Sequence, residues 1–299
     1  MNKKTDKLAF SLIELSIVIL VIGILVAGIT KGKRIMAQAK LKSAIALTTS
    51  SPVTSMSGLS LWLESTNENN FPTGQAVDGA NITGWNDSNP QTVSKNNFSR
   101  GTSNANIAYK ASGINNLPVI NFNGTSGTVN SLTGGVITTA NNGFTLFIVA
   151  QAAQNNSPYD SYLFQDGTGS GFAYKQSGGV STRDLLFIGV KDNGTTSVMP
   201  TAPEIATIMY DSSLSNPINI FANGSSQFNP TGGMKIIAPS SNTMITPAGV
   251  TYVGNDNNGS SPWQGYIGEI IFFDHILKTY ERNAVESYLG SKWGIKVSS

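Results

Sequence analysis

The stretch from Phe10 to Thr30, FSLIELSIVILVIGILVAGIT, limits what this chain can become more than any other part of it. It contains one charged side chain, Glu14, and is about as long as a helix must be to cross the hydrocarbon core of a bilayer. The run is longer than the apolar core of an ordinary secretory signal, and no small-residue cleavage pattern closes it. The sequence therefore predicts a membrane-spanning helix near the N-terminus. A carboxylate at the centre of such a span costs roughly 2.5 to 3.5 kcal/mol, so Glu14 needs a partner or a place at the interface.

Helix-forming residues continue to about Leu47, with no proline before Pro52. A helix from Phe10 to Leu47 is a rod of roughly 57 Å. Ile35, Met36, Ala39, Ala46 and Leu47 form a loose apolar stripe along its second half. Residues 50–58, SSPVTSMSG, read as a linker. Eight of the nineteen basic and two of the seventeen acidic residues lie in residues 1–47, which leaves eleven against fifteen, a net of −4, for the remainder. A mildly acidic head argues against nucleic acid as a partner. The basic cluster from Lys31 to Lys42 outnumbers the three lysines before the span, so charge bias alone would place that cluster in the cytoplasm.

The residues KLAFSLIELSIVILVIGILVAGI resemble the processing site and helix of type IV prepilins and type II secretion pseudopilins. The resemblance covers about a tenth of the chain. It implies a leader over residues 1–9, cleavage by a prepilin peptidase between Ala9 and Phe10, methylation of the new amine, and a transmembrane and rod helix over residues 10–49. Ala9 stands where that family usually has glycine. The resemblance also implies that Glu14 pairs with the freed amine of a neighbouring Phe10 during assembly, that other pilins or pseudopilins are partners, and that the chain is a single-pass inner-membrane protein with its head outside the cytoplasm. That orientation overrides the charge bias.

From Leu59 onward, short apolar runs alternate with turns of Gly, Asn and Ser: LSLWL, PVINF, FTLFIVAQA, LLFIGV, EIATIMY, INIFA, TYVG and YIGEIIFF. Strands of this length and spacing predict a mainly β sandwich or barrel over residues 59–299. FTLFIVAQA is apolar on both faces and should be central. Cysteine is absent, so the fold must rest on its core without disulfides. The strands and the C-terminal helical segment form a complete set, and residues from about Ser57 onward are expected to fold without the rod.

The segments GLSLWLEST, VDGANITGWNDSN, INFNGTS, FTLFIVAQA, SYLFQDGTGSGFAYK, INIFANGS and WQGYIGEIIFFDHILKTYERNAVESYLGSKWGI resemble, in order and spacing, the laminin-G-like, concanavalin-A-like jelly-roll modules of bacterial surface proteins. This implies a β-sandwich head closed by a short helix opening near Lys278 to Glu281. In that fold, ligands and Ca²⁺ sit at the sandwich rim on Asp, Asn and backbone oxygens. The rim candidates are Asn86, Asp87, Asp166 and Asp256, with Asp87, Asp166 and Asp256 as the Ca²⁺ candidates, and Trp85 and Trp263 as sugar-stacking rings. Aspartate and asparagine in such turns are also ordinary turn formers. Trp62 and Trp293 read as core.

Glycosidases of this fold need two carboxylates about 5 to 9.5 Å apart. On the strand YIGEIIFFD, a two-residue period puts Glu269 and Asp274 on opposite faces, and a Ser-His-Asp triad would have to use His275, the single histidine. The expectation is therefore a non-enzymatic minor pilin or pseudopilin of a type IV pilus or type II secretion filament, with a lectin-like head that binds a glycan or surface protein. The alternative is a membrane-tethered glycan-processing enzyme.

Overall fold

The computed structural model describes residues 12–100, 107–124, 130–137, 143–153, 161–165, 171–177, 180–187, 190–191, 201–211, 213–214, 218–227 and 250–298. Helix α1 (Leu12–Thr49) is followed by a 3-10 turn at Pro52–Ser55. The strands are β1 (Leu59–Glu64), β2 (Gly84–Trp85), β3 (Phe98–Arg100), β4 (Ile107–Lys110), β5 (Val119–Asn123), β6 (Leu132–Gly134), β7 (Gly143–Ala152) and β8 (Ser161–Gln165). They continue with β9 (Gly171–Ser177), β10 (Val180–Phe187), β11 (Val190–Lys191), β12 (Glu204–Asp211), β13 (Ile218–Ala222), β14 (Ser225–Ser226), β15 (Thr251–Val253) and β16 (Gln264–Phe273). Helix α2 (Thr279–Trp293) closes the chain.

Helix α1 is long and apolar enough to cross a membrane, and none of its most apolar stretch is buried within the protein. The head is mainly β, as its alternating apolar runs lead one to expect. One sheet runs β14-β13-β12-β7-β16-β5-β4, with β1 also paired to β16; the other runs β11-β10-β9-β8-β15-β6-β3-β2. Between them lies a core of Leu61, Leu63, Phe122, Leu146, Ile148 and Phe272 from the first sheet and Leu132, Leu163, Phe172 and Val253 from the second. Phe164 and Phe272 stack across it with centroids 6.0 Å apart. Strand β7 is paired on both edges, to β12 and β16, which explains its two apolar faces.

The outer face of the first sheet carries a second core that includes Trp62, Phe147, Val149, Ile271 and Phe273, covered by Val285, Leu289 and Trp293 of α2. Strand β16 serves both cores by alternation from Ile270 to Phe273, and its register shifts between Ile267 and Glu269. This bulge at Gly268 breaks the two-residue alternation. Ile267, Ile270 and Phe272 face the inter-sheet core, while Ile271 and Phe273 face α2. A β-carbon on Gly268 would lie 2.5 Å from the Trp293 ring, so glycine here makes room for the indole. Helix α2 starts where Lys278 N–H donates to Glu281 Oε2 at 2.9 Å, and stops at Gly294, whose φ of 64° is the left-handed conformation that favours glycine.

The layer over the second core is completed by residues that precede the head. Ala44 of α1 and Val53 are buried in it, and Leu47 and Met56 pack against it. The sequence reading gave the head no need of this segment. Cutting the chain after Met56 should therefore lower the head's stability by about 2 kcal/mol or more, from the Val53 contact alone. Urea denaturation of whole and cut chains, compared under the same conditions, checks this.

Candidate functional site

Two places in the head combine chemistry with defined geometry. The first is buried. Glu64, the last residue of β1, and Glu269, the first after the bulge, are directly paired across β1 and β16. Lys292 of α2 reaches between them, with Nζ 2.7 Å from Glu64 Oε1 and 2.9 Å from Glu269 Oε2. Trp62 Nε1–H and Trp293 Nε1–H each donate to Glu269 at 2.8 Å, and the Tyr288 hydroxyl donates to it at 2.7 Å. Glu64 accepts from Thr66 N–H at 2.8 Å, from Asn67 N–H and Asn70 Nδ2–H at 3.1 Å, and from the Thr66 hydroxyl.

Burial works against the charge on Glu64, but the Lys292 ammonium and the hydrogen bonds outweigh it and hold its pKa below the ordinary carboxylate value. Burial, then the neighbouring Glu269 carboxylate, push the Tyr288 hydroxyl well above its ordinary value. Two carboxylates side by side are what acid–base chemistry on a glycoside uses. Here their side chains are 0–1% exposed and their oxygens are taken by internal donors. The cluster fastens α2 to the sheet and offers a substrate no access.

The second place is open. Between β1 and β2, Glu68, Asn69, Phe71, Pro72, Thr73, Gly74, Ala76 and Val77 line a groove of about 400 Å³. Asn67 starts this loop by accepting from Asn69 N–H through its side chain, at 3.1 Å, in a 3-10 turn that leaves Glu68 and Asn69 exposed. Phe71 turns inward and is held edge-on by Tyr109 at 5.3 Å. Burial, followed by the charges of Glu64 and Glu68, pushes the Tyr109 hydroxyl up to about 12. Val77 is 60% exposed. The groove thus sets an exposed carboxylate and amide beside an apolar wall, which suits a ligand with both hydroxyls and C–H faces.

The structure moves the sequence-predicted rim residues one layer inward. Trp85 is fully buried, stacks on Phe71 at 6.3 Å and donates its Nε1–H to the Glu64 carbonyl at 3.0 Å, so it presents no face to a sugar. Asn86 braces the groove loop: its N–H donates to the Asn70 carbonyl at 2.7 Å and its Nδ2–H to the Asn69 carbonyl at 3.4 Å. Asp87 accepts from the N–H groups of Trp62, Asn89 and Asn96. Asp256 accepts from Ser260 N–H and its hydroxyl, both at 2.6 Å, and Trp263 is fully buried. These carboxylates close their own loops. Among the described residues no three acidic or histidine side chains group as a metal site. Asp166, Ala9 and Phe10 lie outside the described residues, and Glu14 is placed only as a backbone position within α1.

No protein-family model and no curated protein matches this chain. Solved structures do. An arabinofuranosidase complexed with arabinofuranosyl-α-1,2-xylobiose superposes with a TM-score of 0.51 at 10% identity, over 71% of this chain and 51% of that one. A Trypanosoma rangeli sialidase in complex with 2,3-difluorosialic acid gives 0.46 at 13% identity, over 86% and 38%. Domain 4 of an extracellular arabinanase from Geobacillus stearothermophilus, in complex with arabinotriose, gives 0.45 at 15%, over 76% and 97%. The chain spans about two fifths of the sialidase's length. At these identities the likeness shows a shared fold. It also corrects the expected function. The filament subunit with a non-enzymatic head does not stand: no family model matches, and the solved structures named above are of glycosidases, which at these identities share a fold with this chain and assign it no activity.

Proposed function

We propose that this chain is a membrane-tethered glycan-processing protein: α1 is a single-pass anchor, the head lies outside the cytoplasm, and the glycan is met in the groove beside Phe71. The observation that carries the reading is that groove, an exposed Glu68 and Asn69 next to an apolar wall. The sandwich shared with an arabinofuranosidase supports it. Glu68 is the carboxylate placed to meet a sugar, as proton donor or hydrogen-bond acceptor. Cleavage between Ala9 and Phe10 by a prepilin-type peptidase belongs to the same proposal, with the new amine free to neutralise Glu14 inside the span.

The test uses the whole chain in vesicles against arabinoxylan, arabinan and sialylated glycans, reading both release of reducing ends and co-sedimentation of polysaccharide. Glu68→Gln should lower either signal by about tenfold or more, since one charge-assisted hydrogen bond is worth that much. Its melting temperature should not move, because the side chain is exposed. The absence of both release and retention with every one of these glycans would overturn the reading.

A further inference from the structure

The basic cluster that follows the span has no part in the glycan reading. Between Glu14 and Glu64 the sequence contains no acidic residue, yet it places Lys31, Lys33, Arg34, Lys40 and Lys42 there. Among the described residues, no ion pair involves Lys31, Arg34, Lys40 or Lys42. The head leans over this segment. Lys40 Nζ donates to the Asn115 carbonyl, and Asn115 in turn donates its Nδ2–H to the Trp293 and Gly294 carbonyls at 2.7 and 3.2 Å. This clasp leaves a cleft of about 750 Å³ between helix and head, lined by Arg34, Met36, Ala37 and Lys40 on one side and Ser112 and Asn116 on the other.

We infer that this cleft is a binding site for the headgroup of an anionic phospholipid of the membrane that α1 spans. Position supports it. At 1.5 Å per residue, Arg34 stands about 6 Å beyond Thr30 and Lys40 about 15 Å, while the headgroup layer extends roughly 5 to 8 Å beyond the hydrocarbon core. Arg34 sits in that layer, and Lys40, whose ammonium is held by the Asn115 carbonyl, lines the cleft above it. Chemistry supports it too: a guanidinium grips a phosphate through paired N–H donors, the ammonium adds a second charge, and the Ser112 and Asn116 side chains offer polar contacts to a glycerol head. The site would fix the height of the head above the bilayer and the rotation of α1, turning a flexible tether into an oriented one. The inference rests on the anchor part of the proposed function and is independent of the glycan part.

The whole chain is reconstituted into vesicles of phosphatidylcholine alone and of phosphatidylcholine with phosphatidylglycerol in equal parts. It is then released by native mass spectrometry, and retained lipid is counted. The wild type should retain phosphatidylglycerol selectively. Arg34→Gln should weaken retention about tenfold, while Lys42→Gln, which removes the same charge outside the cleft, should change it by less than about twofold. Ser112→Phe, an exposed substitution that narrows the cleft without altering charge, should also weaken retention. Equal losses in Arg34→Gln and Lys42→Gln, or equal retention of both lipids, would overturn the site while leaving the anchor intact. A chain that stays out of the vesicles would overturn the anchor and the site together, with glycan binding by the head still measurable in solution.

Discussion

Lys292→Met should lower the head's stability by about 3 to 5 kcal/mol at neutral pH, as removal of one partner from a buried charge pair does. That corresponds to a fall of about 10 °C in Tm for a domain of this size. The methionine fills much of the volume, so the loss is electrostatic: Glu64 and Glu269 are left facing each other with no cation between them. Its pH dependence should distinguish it from a packing defect. In the wild type, the pKa of Glu64 lies below its ordinary value of 4.5, so its stabilising contribution is present above that value and is lost as pH falls through the folded pKa. In the variant the sign reverses. With the lysine gone, burial and the facing Glu269 charge raise the Glu64 pKa, so stability should recover as pH falls from neutral toward the carboxylate range. Urea midpoints at two pH values decide the matter, and an equal loss at both would assign the effect to packing. Adding Glu64→Gln should restore part of the stability, because it removes one of the two unpaired charges.

Trp293→Ala should cost about 3 to 5 kcal/mol, the usual range for emptying a large aromatic site in a core. The indole is fully buried, donates its N–H to Glu269 and lies over Gly268. Gly268→Ala should cost about 1 to 3 kcal/mol for the opposite reason, overpacking, because the new methyl group would press on that rigid ring. The two should not add. In the double variant the methyl enters space the indole has vacated, and the combined loss should fall short of the sum by about 1 kcal/mol or more. Additive losses would show that Gly268 is needed for the bulge conformation and not for room beside the ring.

How much of this could be read from the sequence depended on distance along the chain. The span was legible because its apolar residues are contiguous, and β7 because FTLFIVAQA leaves no polar face. The start of α2 near Lys278 was legible through the resemblance of the C-terminal segment to jelly-roll modules closed by a short helix. The buried cluster was not, for two physical reasons. Glu64 and Lys292 lie at opposite ends of the head, and Glu269 was assigned its face by a two-residue count from Asp274 along a single strand. The decisive pair is across two strands, and only the register of β1 against β16 brings it together. A glycine inside an otherwise apolar strand, GEIIFF, was the available signal of a bulge. Trp85 and Trp263 misled because a tryptophan beside an aspartate or proline turn looks the same whether the ring points out or in. Asn86 braces the groove loop, whose next layer, Glu68 and Asn69, faces solvent.

Strand β16 is the common partner of β1, β5 and β7, yet it is the last strand to leave the ribosome. At 5 to 20 residues per second, β1 has been in existence on the order of ten seconds or more before its partner is made. Until β16 emerges, β7, apolar on both faces, lacks its neighbour along one edge, and the apolar sides of β1 and β5 lie open, while α1 has already emerged and is free to enter the bilayer. The newborn head is therefore an unfinished sheet that must be shielded in transit. A product truncated anywhere before residue 264 would remain in that state, its unpaired strand edges exposed to proteases.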